Sequence, residues 1–497
     1  MAVLHAAVLF LIPTLVVSLI YLLSGKKRIS NGKLRLPPSP PGLPFLGHLH
    51  FLGSLPHRGL GSLAAKHGPV LLIRLGRVPT VLVSSAVAAE EVMKCRDLAF
   101  ASRPRVVMAE RLLYGRDVAF APYGDYWRQT RRICAVHLLS PRRILSFRRV
   151  REEEAAALVE RVRTSAGAGA VVDLSELLIA YANYVVSRAA FGDDSARGLY
   201  EGDDRGRELR KVFAEFDVLL GTTPLGELLP GMGWVDSVRG LEGKARRTFE
   251  ALDGMVEKVI EDHRRRRRQA GGRQMRDDVD GNDHRDFVDV LLDDMFAGGT
   301  STTTTAMEWT MAELITHPRA MRKLQDEIRA AVGGADHVTE DHVDKVGYLK
   351  AVVKETLRLH PPVPLLVPRE PPADAEILGH HVPARTQVVI NSWAIGRDPA
   401  TWERPDEFWP ERFLDSSVDF RGQDFELLPF GAGRRGCPGI GFAMSTLEMA
   451  IASLLHRFDW DPAGGNVPGT LLDMSEVNGI AVRIKGGLPL VAKAWFP

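Results

Sequence analysis

The sequence is poor in cysteine: its 497 residues include only Cys95, Cys134 and Cys437, an odd number at wide spacing. Disulfide frameworks of secreted proteins use many closely spaced cysteines, so the sequence argues against that class. It also contains no Cys-x-x-Cys pair and no His-Glu-x-x-His run, so the usual sequence signatures of zinc sites are absent. We therefore expect three free thiols in a chain that folds in a reducing compartment.

The sequence also has no large excess of positive or of negative charge. The 64 Lys and Arg residues nearly balance the 62 Asp and Glu residues, leaving a net charge of +2. The broad basic field of nucleic-acid-binding proteins is therefore absent. The run Arg264 to Arg268 has no interleaved aromatic residue and lies in a polar stretch, residues 263–286, that we predict to be a solvated loop. We predict no nucleic-acid partner.

The amino end lacks charge altogether, because residues 2–23 contain no Lys, Arg, Asp or Glu. About 20 apolar residues suffice for a helix to cross a membrane. The basic cluster that follows, residues 26–35, favours the cytosolic side. We predict a single-pass membrane anchor over residues 1–24, with the folded body in the cytosol. A cleaved signal peptide is the alternative, but no basic residue precedes the apolar run, which is long for such a peptide.

Residues 25–47 follow the predicted anchor and combine basic residues with many prolines, which favour extended backbone over helix. We predict a hinge there and one folded domain over residues 48–497. Alternating apolar residues predict strands at residues 70–75 and 80–83.

Helical periodicity dominates from about residue 87 to residue 359. Short strands rich in proline follow, and then a last helix over about residues 440–458. The predicted fold class is mainly α with a minor β-sheet.

The strongest local signal is Pro429-Phe-Gly-Ala-Gly-Arg-Arg-Gly-Cys-Pro-Gly439. Glycines surround Cys437, two arginines precede it, and a helix is predicted to follow. Near cations and a helix amino terminus, a thiol should have a lowered pKa and act as a nucleophile or a metal ligand. For Cys95 and Cys134, a buried inert thiol is the better interpretation.

The same loop contains Gly431-x-Gly-x-x-Gly436, which matches the dinucleotide-binding fingerprint of hydride-transferring oxidoreductases. Pro429 interrupts the strand that should precede this fingerprint. Too few residues follow Gly439 for the rest of a doubly wound sheet. We therefore disfavour this alternative.

The pattern Phe430-x-x-Gly433-x-Arg435-x-Cys437-x-Gly439 resembles the cysteine-loop signature of the cytochrome P450 family, and the resemblance extends over essentially the whole chain. Details of the motifs resemble the plant A-type microsomal branch. The supporting segments are Phe100-Ala-Ser-Arg-Pro104, Trp127-Arg-Gln-Thr-Arg131, Lys354-Glu355-Thr-Leu-Arg358 and Phe408-Trp-Pro-Glu-Arg412-Phe.

This resemblance implies a heme b cofactor (iron protoporphyrin IX) whose iron is bound by the Cys437 sulfur. It also implies that charge-assisted hydrogen bonds hold the heme propionates. The cofactor-binding residues that the resemblance implies are Trp127, Arg131, Arg369, Phe430, Arg435 and Cys437.

Two interpretations apply to Glu355 and Arg358. Their spacing fits a surface ion pair, which contributes little to stability. The resemblance instead implies a buried triad with Arg412.

The segment Phe296-Ala-Gly-Gly-Thr-Ser-Thr302-Thr resembles the family's central helix, in which two glycines make room for dioxygen. Thr302 would then act in proton delivery. The family usually has Asp or Glu immediately before this threonine, whereas this chain has Ser301, which we take as the second catalytic candidate. A structural role, with threonine hydroxyls bonded back to the helix, is the alternative.

A second departure lies at Leu292-Asp293, where the ends of two elements that are separate in the family run together. We expect one continuous helix from about residue 286 to residue 315. We also expect the preceding helix to be lost or shortened, a more open pocket and weaker heme retention.

The resemblance implies a monooxygenase that uses O2, NADPH through a separate cytochrome reductase and a small lipophilic substrate of plant specialised metabolism. We expect a protein of the endoplasmic reticulum membrane. The alternatives are a heme-thiolate isomerase or dehydratase, and an inactive splice form or heme binder. The expected substrate-contacting segments are residues 105–117, 209–220, 295–303, 363–367 and 477–480.

Overall fold

The computed structural model describes residues 35–113, 115–166, 169–191, 203–269, 283–463 and 472–496. For residues 283–297 it describes the backbone only. The predicted anchor and the first part of the hinge lie outside the described residues. Within the described part of the chain, no helix is long and apolar enough to cross a membrane.

Helices make up most of the described chain, as predicted. In chain order, α1 to α17 are Pro56–His67, Ala86–Glu90, Val107–Leu112, Asp125–Ile133, Pro141–Ser146, Arg148–Ser165, Leu174–Phe191, Asp203–Leu220, Leu225–Leu228, Gly233–Val238, Leu241–Gln269, Asp283–Thr316, Pro318–Val332, Glu340–Val343, Gly347–Leu359, Ser392–Ile395 and Ile440–Arg457. Short 3₁₀ or π turns lie at Leu49–Phe51, Glu91–Cys95, Cys134–Leu138, Pro410–Phe413 and Gly433–Arg435.

The strands are short and form small sheets. In chain order, β1 to β10 are Val70–Leu75, Val78–Val83, Val171–Asp173, Ala375–Ile377, His380–Val382, Gln387–Ile390, Phe458–Pro462, Glu476–Val477, Arg483–Ile484 and Pro489–Ala494. The sheet orders are β1-β2-β6, β3-β10-β7, β4-β5 and β8-β9. The predicted strands at residues 70–75 and 80–83 are therefore confirmed, and β2 pairs with β6 in parallel.

Helix α12 lies at the centre of the molecule and packs against α7, α15 and α17. Its side chains Met307, Trp309 and Leu314 are fully buried in the largest hydrophobic cluster. Burying such residues is the main favourable contribution to folding, at about 25 cal/mol per Å² of apolar surface. The central helices therefore fix the positions of the loops and side chains that they carry.

The described part of the hinge is extended and contacts two of the sheets, through β1 and β5. The Pro38 carbonyl accepts a hydrogen bond from the Leu72 N–H, and the Arg35 carbonyl accepts one from His381. This extended backbone is what the prolines predict.

The predicted loop over residues 263–286 is wrong at both ends. Helix α11 continues to Gln269, so the arginine run lies on its last turns, and α12 already begins at Asp283. Arginine is a good helix former, and cations are favourable at a helix carboxyl end.

The continuous helix predicted across Leu292-Asp293 is confirmed, since α12 runs without a break from Asp283 to Thr316. Its 34 residues span about 51 Å at 1.5 Å per residue. No separate helix lies between α11 and α12 in the described residues. The packing of the side chains around this junction lies outside what the structure describes.

Glu355, Arg358 and Arg412 form a buried triad, so the surface-pair interpretation is wrong. Glu355 is fully buried and accepts hydrogen bonds from Arg358 at 2.7 and 2.8 Å and from Arg412 at 3.1 Å. Arg358 also donates to the carbonyls of Gly396 and Pro405. The triad thus ties α15 to the segment that leads toward Cys437.

We expect Glu355→Ala to lower the free energy of unfolding by about 3–5 kcal/mol, because it leaves two buried guanidinium groups without their carboxylate. Urea denaturation of the purified protein measures this change.

The matched control is Glu160→Ala, which removes the acid of an exposed pair with the same three-residue spacing, Glu160 and Arg163. Its effect should stay below about 1 kcal/mol. Equal effects of the two substitutions would contradict the structural role of the triad.

Candidate active site

The cysteine loop is shaped by glycine and closed by backbone hydrogen bonds. Gly431 and Gly433 have φ angles of +63° and +67°, which favour glycine. A Cβ on Gly433 would lie 2.1 Å from the Met93 carbonyl oxygen. The Cys437 N–H donates to the Phe430 carbonyl at 2.9 Å. This turn places Cys437 directly before α17.

The Cys437 sulfur faces a cavity of about 310 Å³ deep in the molecule. Its Sγ accepts a hydrogen bond from the Gly439 N–H at 3.3 Å. Burial raises the pKa of the Cys437 thiol, while this N–H and Arg131 act in the opposite direction. The prediction of a lowered pKa is therefore wrong for the protein groups alone, because desolvation outweighs the helix end and the cation.

Three of the predicted arginines line the same cavity: Arg131, Arg369 and Arg435. Arg435 donates to the carbonyls of Ala101 and Ala121, both at 2.6 Å. Burial, together with repulsion from Arg369 and Arg131, lowers the pKa of Arg435 to about 9. Burial also lowers the pKa values of Arg131 and Arg369. This wall therefore favours an anion.

Trp127 and Phe430 also line the cavity. The Trp127 ring lies 4.0 Å from the Arg435 guanidinium, and its indole N–H donates to the Val118 carbonyl at 2.9 Å. Trp127 and Arg131 share one face of α4, as their spacing predicts. A direct contact of the indole N–H with a propionate stays a prediction.

Helix α12 forms another wall of the cavity through Gly298, Gly299, Thr302, Thr303 and Ala306. The Thr302 hydroxyl donates to the Gly298 carbonyl at 2.5 Å. Thr302 thus has the backbone bond of a structural threonine and also lines the cavity, and its catalytic role stays a prediction.

Ser301 does not line the cavity. It is buried, and its hydroxyl donates to Asp217 Oδ2 at 2.5 Å. A carboxylate from α8 therefore lies beside the position where the family usually has its own acid.

All five predicted substrate-contacting segments supply residues to the cavity. Leu113, Phe216, Thr302, Leu366 and Ile480 represent them. The doubly wound sheet of the dinucleotide alternative is absent from the described residues, which contain only sheets of two or three strands.

Two charged lining residues were given no role of their own in the sequence analysis: Arg103 and Asp217. Arg103 donates to the carbonyls of Ala119, Val367 and Pro368. It lies in one of the recognised motifs, but its position there does not reveal a contact with the cavity. Asp217 lies within the predicted segment 209–220, but nothing in that segment marks this acid as the residue that reaches the cavity.

The residues present fit the heme that the resemblance implies. A thiol faces the cavity, and three buried arginines (Arg103, Arg369 and Arg435) and the half-buried Arg131 line the space beside it. Buried cations require anionic partners, and two propionates would supply them. Cys437 would hold the iron, and the arginines would hold the propionates.

Comparisons with known proteins show the family. A family model described as Cytochrome P450 matches residues 37–488. Cytochrome P450 71A1 of Persea americana is 47% identical, over 90% of this chain and 91% of its own length. Phenylacetaldehyde oxime monooxygenase CYP71AN24 of Prunus mume is 41% identical, over 98% of this chain and 95% of its own length.

Solved structures show the same fold. A zebra fish cytochrome P450 structure with abiraterone matches with a TM-score of 0.72 at 25% identity, covering 90% of this chain and 100% of that chain. The match includes the helical body that carries the cavity and the cysteine loop. The chain therefore belongs to the cytochrome P450 family and is a heme-thiolate monooxygenase.

Proposed function

We propose that this monooxygenase is anchored in the endoplasmic reticulum membrane and oxidises a small lipophilic substrate of plant specialised metabolism. Its electrons come from NADPH through a separate cytochrome reductase. The observation that carries the proposal is the shared cavity, in which the Cys437 sulfur, the arginine wall and the Thr302 wall of α12 meet. The apolar residues of the remaining walls suit a lipophilic substrate.

The heme, when bound, supplies the oxidising chemistry that inserts one atom of O2 into the substrate. The chain's own groups prepare the site. The Gly439 N–H donates to the Cys437 sulfur and would limit the charge of a thiolate there, and the arginines would hold the propionates. Thr302 holds a hydroxyl at the cavity wall, where it would supply a proton to the reaction.

Exposed arginines near the cysteine loop support the proposed reductase contact. Arg128 and Arg132 lie on the outer face of α4, and Arg142 and Arg143 lie on α5. A cluster of cations favours an acidic partner and raises the rate of encounter. The reductase would approach this surface, on the side of the molecule that carries the cysteine.

The proposed anchor rests on the apolar run over residues 1–24 and the basic cluster that follows it. Two of the plant relatives are named for a reaction, a norfluorocurarine oxidase of a Strychnos species and the phenylacetaldehyde oxime monooxygenase of Prunus mume. Such names support a plant metabolite as the substrate class.

Two alternative functions are tested by measuring oxygen uptake and its dependence on NADPH. An inactive heme binder would show no oxygen uptake, although the unbroken α12 still brings Gly298 and Thr302 to the cavity. An isomerase or dehydratase would turn over substrate without NADPH. NADPH-dependent oxygen uptake supports the proposal over both.

We expect Cys437→Ser to abolish the red-shifted thiolate-type absorption of the reduced carbon monoxide complex, because a serine oxygen donates much less electron density to iron. The visible spectrum of the reduced protein under carbon monoxide measures this change. Cys134 also lines the cavity, so Cys134→Ser is the matched control and should keep the band. A band that survives in Cys437→Ser would disprove the ligand assignment.

We expect Thr302→Ala to increase the hydrogen peroxide released per NADPH oxidised by severalfold, because proton delivery is impaired while electron entry is not. Peroxide and NADPH are measured during turnover of a substrate.

The control is Thr304→Ala, since the Thr304 hydroxyl makes a similar backbone bond, to the Thr300 carbonyl, but does not line the cavity. Unchanged coupling in Thr302→Ala would move the role to Thr303, whose buried hydroxyl also lines the cavity and has no partner in the described residues.

A further inference from the structure

Asp217 is the single carboxylate among the described residues that line the cavity. It lies on α8 and is only 3% exposed. The apolar residues Leu113, Phe120 and Leu220 line the same cavity. A buried carboxylate in apolar surroundings is costly unless a partner compensates it, so its position calls for an explanation.

The two side-chain partners of Asp217 both contact the same oxygen. Ser301 donates to Oδ2 at 2.5 Å, and the Arg483 guanidinium lies 3.4 Å from Oδ2. The backbone of Asp217 is held as well, because its carbonyl accepts from the Ile480 N–H at 3.2 Å. Oδ1 has no hydrogen-bond partner in the part of the chain that the structure describes. The carboxylate is thus fixed in place with one oxygen left for a ligand.

The surrounding charges favour a cation. Burial raises the pKa of Asp217 to about 6, so it is ionised at neutral pH, with Arg483 and Ser301 limiting the rise. Glu308 lies close by on α12, and its pKa is raised to about 7, first by burial and also by repulsion from Asp173 and Asp217. Glu308 is therefore only partly ionised at neutral pH, and the cation Arg483 contacts Oδ2. The ionised carboxylate of Asp217 can therefore stabilise a positive charge at Oδ1.

We propose that Asp217 anchors the substrate, and that the substrate is a lipophilic amine whose protonated nitrogen donates a hydrogen bond to Oδ1. Its apolar body would lie against Leu113, Phe120 and Leu220. This inference rests on the proposed function, because it names the substrate class of the same cavity. A purely apolar substrate would leave Oδ1 desolvated and unpaired.

The test compares two probes of the same shape on the heme-loaded protein. N,N-dimethyl-3-phenylpropylamine carries a protonated tertiary nitrogen, and (4-methylpentyl)benzene has a carbon in its place. Equilibrium dialysis at pH 7.5 measures the affinity of each. The direction of the heme absorption shift identifies any amine that binds to iron instead.

We expect the wild-type protein to bind the amine at least about tenfold more tightly than the hydrocarbon, since a hydrogen bond between charged groups supports a difference of this size. Asp217→Asn should remove most of this preference, because amine binding weakens while hydrocarbon binding does not. Glu308→Gln removes a nearby buried carboxylate that does not line the cavity, and should keep most of the preference. Equal affinities for the two probes in the wild type, or a preference for the amine that survives Asp217→Asn, would overturn the proposed role of Asp217.

A measurement on the wild type alone covers the case in which Asp217→Asn does not fold. Affinity for the amine should fall as the pH drops below about 6, where Asp217 takes up a proton, while affinity for the hydrocarbon does not fall. The pH dependence of amine affinity should be the same in Glu308→Gln as in the wild type. A shifted pH dependence in this variant would assign the titration to Glu308 and overturn the proposed role of Asp217. If the carbon monoxide band is intact and the two affinities are equal, only the proposed role of Asp217 is contradicted. If the band is missing, the proposed function itself is contradicted.

Discussion

The turn from Phe430 to Cys437 constrains the rest of the site, because it brings a sulfur atom to the cavity and leaves no room for other side chains. Two residues in it have positive φ angles, and Gly433 lies so close to the Met93 carbonyl that a Cβ would clash. The backbone bond from Cys437 to Phe430 then closes the loop. With the sulfur fixed, Cys437 would hold the iron and the arginines that line the same cavity would hold the propionates.

Buried positive charge is the second requirement of this architecture. The arginines on the cavity wall donate to backbone carbonyls, which lowers the cost of removing them from water, and Arg369 also lies 3.4 Å from the carboxylate of Asp97. Their lowered pKa values show that burial and mutual repulsion are only partly offset. An anionic cofactor would relieve this repulsion, so cofactor binding and the stability of the cavity wall are linked.

Helix α12 joins structure and chemistry at one place. Its apolar residues Met307 and Trp309 form part of the core, whereas Gly298 and Thr302 face the cavity. Ser301 connects the helix to Asp217 on α8 and, through it, to Arg483 on β9. The replacement of an acid by serine in this helix is therefore accompanied by a carboxylate from another element. The negative charge beside Ser301 therefore comes from a helix that is distant in the sequence, and not from the motif that contains Ser301.

The sequence by itself determined the features that depend on local chemistry: the mainly helical class, the first two strands, the last helix, the glycine-rich cysteine loop and the shared face of Trp127 and Arg131. These follow from periodicity, glycine conformation and residue spacing, which act over a few residues. Only the tertiary structure decided the burial of Glu355 with Arg412, the raised pKa of Cys437 and the partner of Ser301. The reason is physical, since desolvation and long-range pairing depend on which elements pack together. Asp217 shows this most clearly, because its sequence neighbours give no sign of the cavity that α8 and α12 form around it.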